Sequence, residues 1–146
     1  MRLLFLLFTL FLGACSTYSE EDLNTFDKKI KEWIGQQDVQ FKKTESGLYY
    51  SFENTGSGRS IKYTDSVSVI FKGQLLDSTV FEVEKKPMRF AVKEVITAWK
   101  EIMLMSKNGA NVQIIAPPQL GYGNHELEKI PQKAILIYEI EIVDIK

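Results

Sequence analysis

An alternation of apolar and polar residues with a period of two is the feature that most limits what this chain can fold into. The alternation occurs in three segments, which are residues 48–53, 67–72 and 136–142. Successive side chains of a strand point to opposite faces of a sheet, so each segment is predicted to be a strand with one buried face. Trp99, Ile102 and Met103 instead have helical spacing, within a segment of about residues 97–106. Several antiparallel strands and one short helix predict an α+β domain whose sheet curls over that helix.

The residues between these segments have the chemistry of turns and connectors. The stretches 54–60 and 77–79 are rich in glycine, serine, threonine, asparagine and aspartate. Lys85 and Lys86 are predicted to lie in a solvated turn. Residues 36–46 are predicted to be a polar connector ahead of the sheet.

A second helix is predicted to begin after Ser19 and to end at Gly35. Ser19 and Asp22 have the spacing of a capping box, and glycine is a common helix terminator. The apolar residues of this segment share one helical face, and they are Leu23, Phe26, Ile30, Trp33 and Ile34. Such a face has to be buried, either against the main domain or in the seam of a homodimer, and the sequence leaves both alternatives open.

The start of the chain has the pattern of a secretory signal. Arg2 precedes residues 3–12, an uncharged run in which Thr9 is the one polar residue. Ten residues are too few for a helix across a bilayer, which needs about 20. A positive start, a short apolar run and small residues at its end are typical of a signal peptide.

The residues that end this run, Leu12-Gly13-Ala14-Cys15, resemble a bacterial lipobox. The resemblance implies cleavage before Cys15 and attachment of lipid to its sulfur. The chain is then divided into a signal peptide (1–14), a lipid-anchored helix with its connector (15–46) and a C-terminal domain (47–146). The implied location is the cell envelope, with the protein facing the periplasm, and Ser16 after the cysteine resembles a signal for outer-membrane sorting.

Composition excludes several classes of function. With one cysteine and one histidine, the chain can form neither a disulfide framework nor a Cys/His zinc cluster, and we expect no metal and no cofactor. Its 18 basic and 19 acidic residues give a net charge of -1, which offers no basic excess for nucleic acid. His125 is not accompanied by a nucleophile motif, so catalysis by a Ser/His pair is not expected.

Five blocks of the β-rich part occur in the order and at spacings found in one protein family. The blocks are residues 46–50, 67–82, 95–99, 115–123 and 130–141. Together they resemble the FKBP-type peptidyl-prolyl cis/trans isomerases across residues 47–146. The resemblance implies an FKBP-like curled sheet over one short helix. Lipid-anchored FKBP domains with a similar amphipathic stretch also resemble components associated with gliding motility in some bacteria.

The resemblance also implies a pocket for a proline ring. In the family the residue matching Trp99 is the floor of that pocket, while the backbone N–H matching Ile96 and the hydroxyl matching Tyr122 contact ligand carbonyls. The residues carried over as catalytic are Phe71, Phe81, Glu82, Ile96, Trp99, Tyr122 and Tyr138. The residues carried over as substrate-binding are Met88, Val95 and Ile130.

These residue types suit a reaction that needs no nucleophile and no metal. Rotation about a prolyl amide is opposed by amide resonance, with a barrier of about 18–20 kcal/mol. A water-poor aromatic pocket disfavours the polar planar amide relative to the twisted midpoint, and binding energy from flanking residues offsets the strain. The expected function is therefore isomerisation of proline-containing exported polypeptides, and the family also implies binding of macrolide inhibitors.

Two departures from the family pattern favour an alternative function. The family usually has tyrosine where this chain has Phe71 and aspartate where it has Glu82, and in the usual pair the hydroxyl bonds the carboxylate. The alternative is an FKBP-like peptide-binding chaperone with weak catalysis, or a structural lipoprotein of an envelope or gliding-motility machine.

Overall fold

The computed structural model describes residues 18–146, so the predicted signal peptide and Cys15 lie outside the described residues. The predicted N-terminal helix is confirmed as α1 (Glu20–Ile34). Ser19 and Asp22 form the full capping box, with each side chain accepting a hydrogen bond from the other residue's backbone N–H. Gly35 is the C-cap. Local capping chemistry therefore sets both ends of this helix.

The predicted α+β architecture is confirmed. The strands are β1 (Lys42–Lys43), β2 (Tyr49–Asn54), β3 (Ser57–Ser60), β4 (Ser66–Leu75), β5 (Val80–Ala91), β6 (Lys107–Asn108), β7 (Asn111–Ala116) and β8 (Leu136–Ile145). The second α-helix is α2 (Thr97–Leu104), and short 3₁₀ turns span Val92–Glu94 and Pro118–Leu120. Six strands form one antiparallel sheet in the order β1-β2-β7-β8-β4-β5, while β3 pairs with β6 in a separate ribbon.

The connections differ from the prediction in two places. Within the expected connector, β1 pairs with β2 and so extends the sheet. The turn expected at Lys85 and Lys86 is wrong, because both residues belong to the long edge strand β5. The pairing of β4 with β5 is irregular between Val69 and Phe71, and a bulge of this kind accommodates the extra residues of β5. Pro87 is compatible with this strand because one side of an edge strand donates no ladder hydrogen bonds.

The main sheet buries apolar side chains on both faces. Its inner face and α2 form the larger core, which includes Val69, Ile114 and Ile102. Its outer face is partly covered by α1, whose Phe26 and Ile30 are buried in a second apolar cluster. The sequence did not determine what covers the apolar face of α1; in the structure this face packs against the chain's own sheet.

A polar contact fixes α1 on the outer face of the sheet. The Asp27 carboxylate accepts a hydrogen bond of 2.6 Å from the Tyr49 hydroxyl of β2 and contacts the ammonium groups of Lys31, at 2.8 Å, and Lys43. Burial alone would raise the pKa of Asp27, but these three donors outweigh it and hold the pKa well below its usual range. The charged form of Asp27 thus stabilises the docked helix.

The part of the chain that the structure describes contains neither a membrane-spanning helix nor a cluster of metal ligands. Neither of its α-helices combines the length and the apolar character that a membrane span requires. Across residues 18–146, acidic, histidine and cysteine side chains do not gather in threes as a metal ion would need.

Candidate active site

Five aromatic rings meet between the inner face of the sheet and α2. Phe71 comes from β4, Phe81 and Phe90 from β5, Tyr138 from β8 and Trp99 from α2. The Trp99 ring lies 4.9 Å from that of Phe71, 5.2 Å from that of Tyr138 and 5.5 Å from that of Phe90, between ring centroids. The Phe81 and Tyr138 centroids are 5.5 Å apart. All four pairs are edge-to-face, the geometry that aromatic quadrupoles favour.

The floor of this aromatic cluster is buried. Trp99 is 5% exposed and Tyr138 is 2% exposed, and Phe71 and Phe81 are buried as well. The indole N–H of Trp99 is buried without an acceptor among the residues that the structure describes. Phe90 is only partly buried, so the side of the cluster that Phe90 forms is more exposed than the floor.

Gly73 makes room for two of these rings. Gly73 of β4 lies opposite Tyr138 on one side and opposite Glu82 on the other. A Cβ at this position would be 2.4 Å from Cε2 of Phe81 and 2.8 Å from Cε1 of Tyr138. Contacts this short do not occur between real atoms, so the arrangement of the two rings requires a glycine.

The cluster is bordered by the start of α2 and by the segment after β7. Ile96 is the N-cap of α2 and makes no side-chain capping bond, so the first-turn amides of the helix keep their capacity to donate. Val95, Ile96 and Tyr122 are partly buried against the larger core, and Ile130 is buried in it. Four of the residues expected in the pocket thus lie around the same core as the rings.

The surroundings of the Tyr138 hydroxyl raise its pKa. Burial raises the pKa of the Tyr138 hydroxyl, and Tyr122 and then Glu82 raise it further. Glu82 is exposed as a residue, yet partial burial of its carboxyl group, together with the nearby Glu84, raises its pKa. Since residue 71 is phenylalanine, it brings no hydroxyl to stabilise that carboxylate. Tyr138 therefore remains protonated and able to donate across the neutral pH range.

Two residues of the edge strand β5 complete the description of the site. Met88, expected as a substrate-binding residue, is 37% exposed and lies opposite Val69, and its role stays a prediction. Phe90 was not among the expected residues, although its ring contacts those of Phe71 and Trp99. The signal for Phe90 was present in the sequence, because residues two apart in a strand share a face and Phe90 follows Met88 by two.

A hollow lies on the other side of the sheet from most of these rings. It has a volume of about 660 Å³ and is on the outer face of the sheet, where its lining includes Ser51, Gln113 and Glu139. The side chains of these residues point away from the aromatic cluster, since Phe52, Val112 and Tyr138, their neighbours in sequence, belong to the inner core. Phe71 belongs both to the lining of this hollow and to the aromatic cluster.

The sequence of this chain is similar to those of known proteins. Residues 57–143 match the sequence model of FKBP-type peptidyl-prolyl cis-trans isomerases. The FKBP-type peptidyl-prolyl cis-trans isomerase FkpA of Buchnera aphidicola (subsp. Schizaphis graminum) is 36% identical over 134 residues, which cover 83% of this chain and 53% of that protein. The chain spans about half the length of the curated relatives it matches.

Solved structures are similar in fold. The crystal structure of FkpA from Escherichia coli has a TM-score of 0.76 and 29% identity, covering 86% of this chain and 60% of that one. A peptidyl-prolyl cis-trans isomerase from Pseudomonas syringae has a TM-score of 0.75 over 90% of this chain and 98% of its own, but only 20% identity, which supports the fold alone. The family's sequence model matches residues 57–143, which is more than half of this chain. This chain therefore belongs to the family of FKBP-type peptidyl-prolyl cis-trans isomerases.

Proposed function

We propose that this chain catalyses the cis/trans isomerisation of prolyl amide bonds, with the substrate's proline ring held against the aromatic cluster. The observation that carries the proposal is the convergence of Phe71, Phe81, Phe90 and Tyr138 on the ring of Trp99. Family membership and the names of the relatives support the same activity.

The chemistry of the proposal is conformational. A planar prolyl amide has its largest charge separation in the ground state and loses part of it as the C–N bond twists. Transfer into an apolar aromatic site therefore costs the ground state more than the twisted midpoint. Each 1.4 kcal/mol or so of that difference accelerates the rotation about tenfold.

The polar groups at the border are proposed to hold the substrate's carbonyls. The uncapped amides at the start of α2, beginning with that of Ile96, are available donors. The Tyr122 hydroxyl is a second donor, since Tyr122 packs against the core that contains Tyr138. Glu82 is proposed to contribute at the edge of the site, while Val95, Ile130 and Met88 contact the residues that flank the proline.

A protease-coupled assay on short Xaa-Pro peptides tests the proposal. The full chain is expected to accelerate isomerisation at micromolar concentration and to be inhibited by a macrolide of the rapamycin type. Tyr122→Phe removes one hydrogen bond to the substrate and is expected to lower kcat/KM about two- to tenfold. Trp99→Leu is expected to lower it further, with the fold checked by circular dichroism. A wild-type rate equal to the uncatalysed rate would end the proposal.

The absence of a hydroxyl at Phe71 favours a second candidate, a peptide-binding chaperone with little turnover. Phe71 offers no hydroxyl to Glu82, whose pKa is raised by partial burial and by the nearby Glu84. The same assay separates the two candidates when it is combined with a binding measurement. Peptides or macrolides that bind while the rate stays at background would select the chaperone.

We also propose that Cys15 is lipidated and anchors the protein in the cell envelope, facing the periplasm. The support is the apolar run of residues 3–12 and the lipobox-like residues before Cys15. Acyl chains contribute about 0.8 kcal/mol per buried CH₂, enough for stable attachment when several are present. Cys15→Ser is expected to abolish incorporation of labelled palmitate and to release the protein from membranes. Labelling that survives this substitution would contradict the proposal.

A structural role in an envelope or gliding-motility machine is a further proposal, which rests on the resemblance of the lipid-anchored domain to such components. Deletion of the gene is expected to impair motility or secretion. Intact motility and secretion in the deletion strain would remove this role.

A further inference from the structure

Tyr18, the residue before the N-cap of α1, contacts the loop that follows Tyr122. Tyr18 is buried, and its hydroxyl donates a hydrogen bond of 3.1 Å to Oδ1 of Asn124. The same hydroxyl lies 3.5 Å from the position a Cβ would occupy on Gly123. The Tyr18 ring packs edge-to-face on Phe26, with 5.3 Å between centroids, which fixes it to the helix. Tyr18 therefore contacts Asn124 and lies beside Gly123, the two residues that follow Tyr122.

The other end of the loop contacts the first turn of α1. The backbone N–H of Lys133 donates 2.8 Å to the carbonyl of Gly123, which closes the loop. The Lys133 ammonium is 3.6 Å from Oδ1 of Asp22 and 5.9 Å from the centroid of the Tyr18 ring. Lys133 also has a positive φ of 56°, a conformation that costs a non-glycine residue free energy and needs support from its surroundings.

The loop between these contacts has little support of its own. Residues 124–129 are exposed, and only Ile130 is buried. The hydrogen bonds recorded within it are local, from the His125 N–H to the Tyr122 carbonyl and between Leu127 and Ile130. Segments with few buried contacts open easily. A contact from outside the loop therefore has a large effect on the fraction of molecules in which the loop is closed.

We propose that Tyr18, assisted by Asp22 and Lys133, is a positioning residue that holds the Tyr122 loop in its active arrangement. The inference rests on the proposed isomerase function, because Tyr122 is there the donor to the substrate. Tyr18 does not touch the aromatic cluster and acts through Gly123 and Asn124. The N-terminal helix is thereby coupled to the site from the opposite face of the sheet.

The chain contains a matched control for this contact. The Tyr49 hydroxyl also ties α1 to the domain, through its hydrogen bond to Asp27, and Tyr49 is as buried as Tyr18. Tyr18→Phe and Tyr49→Phe each remove one hydroxyl and one hydrogen bond to or from the same helix region. Only the first bond reaches the loop.

The test measures kcat/KM of the full chain and the hydrogen exchange of amides 122–133. Tyr18→Phe is expected to lower kcat/KM about two- to tenfold and to speed exchange across the loop. Tyr49→Phe is expected to leave both quantities at the wild-type level. Lys133→Met should lower kcat/KM and speed exchange as Tyr18→Phe does. Lys133→Arg keeps the positive charge near Asp22 and should leave the loop amides as protected from exchange as in the wild type.

Equal effects of the Tyr18 and Tyr49 substitutions on both quantities would overturn the inference, and so would wild-type exchange in Tyr18→Phe. A wild-type chain without isomerase activity would refute the proposed function instead. In that case the exchange of the loop amides still decides whether α1 holds the loop.

Discussion

At the scale of the residue, the site depends as much on a missing side chain as on the aromatic ones. The rings of Phe81 and Tyr138 occupy the space that any side chain at position 73 would need. The resemblance supplied most of the ring residues, because aromatic identity and order are visible in a sequence. It did not include Phe90: the spacing of two from Met88 indicates the face on which Phe90 lies, but its contact with Trp99 depends on the register of β4 against β5.

Gly73→Ala is predicted to disturb the aromatic cluster directly. Overpacking of this kind costs about 1–3 kcal/mol of unfolding free energy, and displacement of the two rings should lower kcat/KM at the same time. Denaturant unfolding and the isomerase assay measure the two effects. Gly35→Ala is the control, because Gly35 has a helical backbone and its nearest atoms would be 3.5 Å or more from a new Cβ. Equal behaviour of the two variants would show that Gly73 has no special role.

At the scale of the element, the limits of α1 were predictable and its docking partner was not. Ser19, Asp22 and Gly35 act on the backbone within a few residues, so the sequence displays them. The apolar stripe specifies that the helix is buried but not what covers it, which depends on Tyr49, Ile115 and Ile137 from distant strands. The continuation of β5 through Lys85 and Lys86 was missed for the same reason, since pairing with β4 is not local.

The capping box makes a prediction about the helix itself. Ser19→Ala removes the acceptor for the Asp22 amide and is expected to cost about 1 kcal/mol of unfolding free energy. Thermal unfolding measures the loss. Ser57→Ala, at an exposed position of β3, serves as the comparison, and no difference between the two would contradict the capping role.

The contact of Asp27 with Tyr49 and two lysines predicts a pH dependence of stability. The pKa of Asp27 is depressed in the folded chain, so its contribution is present above the unfolded value of about 4 and is lost as the pH falls through the lower folded value. Asp27→Asn is expected to unfold more easily than the wild type at pH 7, with the difference shrinking below pH 4. Asp38→Asn, at an exposed position beyond α1, should show no such convergence. A difference between Asp27→Asn and wild type that stays constant with pH would refute the account.

At the scale of the whole molecule, one sheet serves two purposes. Its inner face and α2 build the aromatic cluster, and its outer face carries α1. The fold and most of the ring residues followed from periodicity and resemblance. The link between the two faces, through Tyr18 and the loop after Tyr122, could be seen only in three dimensions.

The central claim is that the aromatic cluster around Trp99 binds a proline ring and speeds rotation of its amide. One nuclear magnetic resonance titration with an Xaa-Pro peptide tests both parts. The chain has two tryptophans, and the Trp99 indole signal is predicted to shift while that of Trp33, packed on Phe41 outside the site, stays in place. The cis and trans signals of the peptide are predicted to exchange at catalytic protein concentrations. An unchanged Trp99 signal with exchange at the uncatalysed rate would contradict the account.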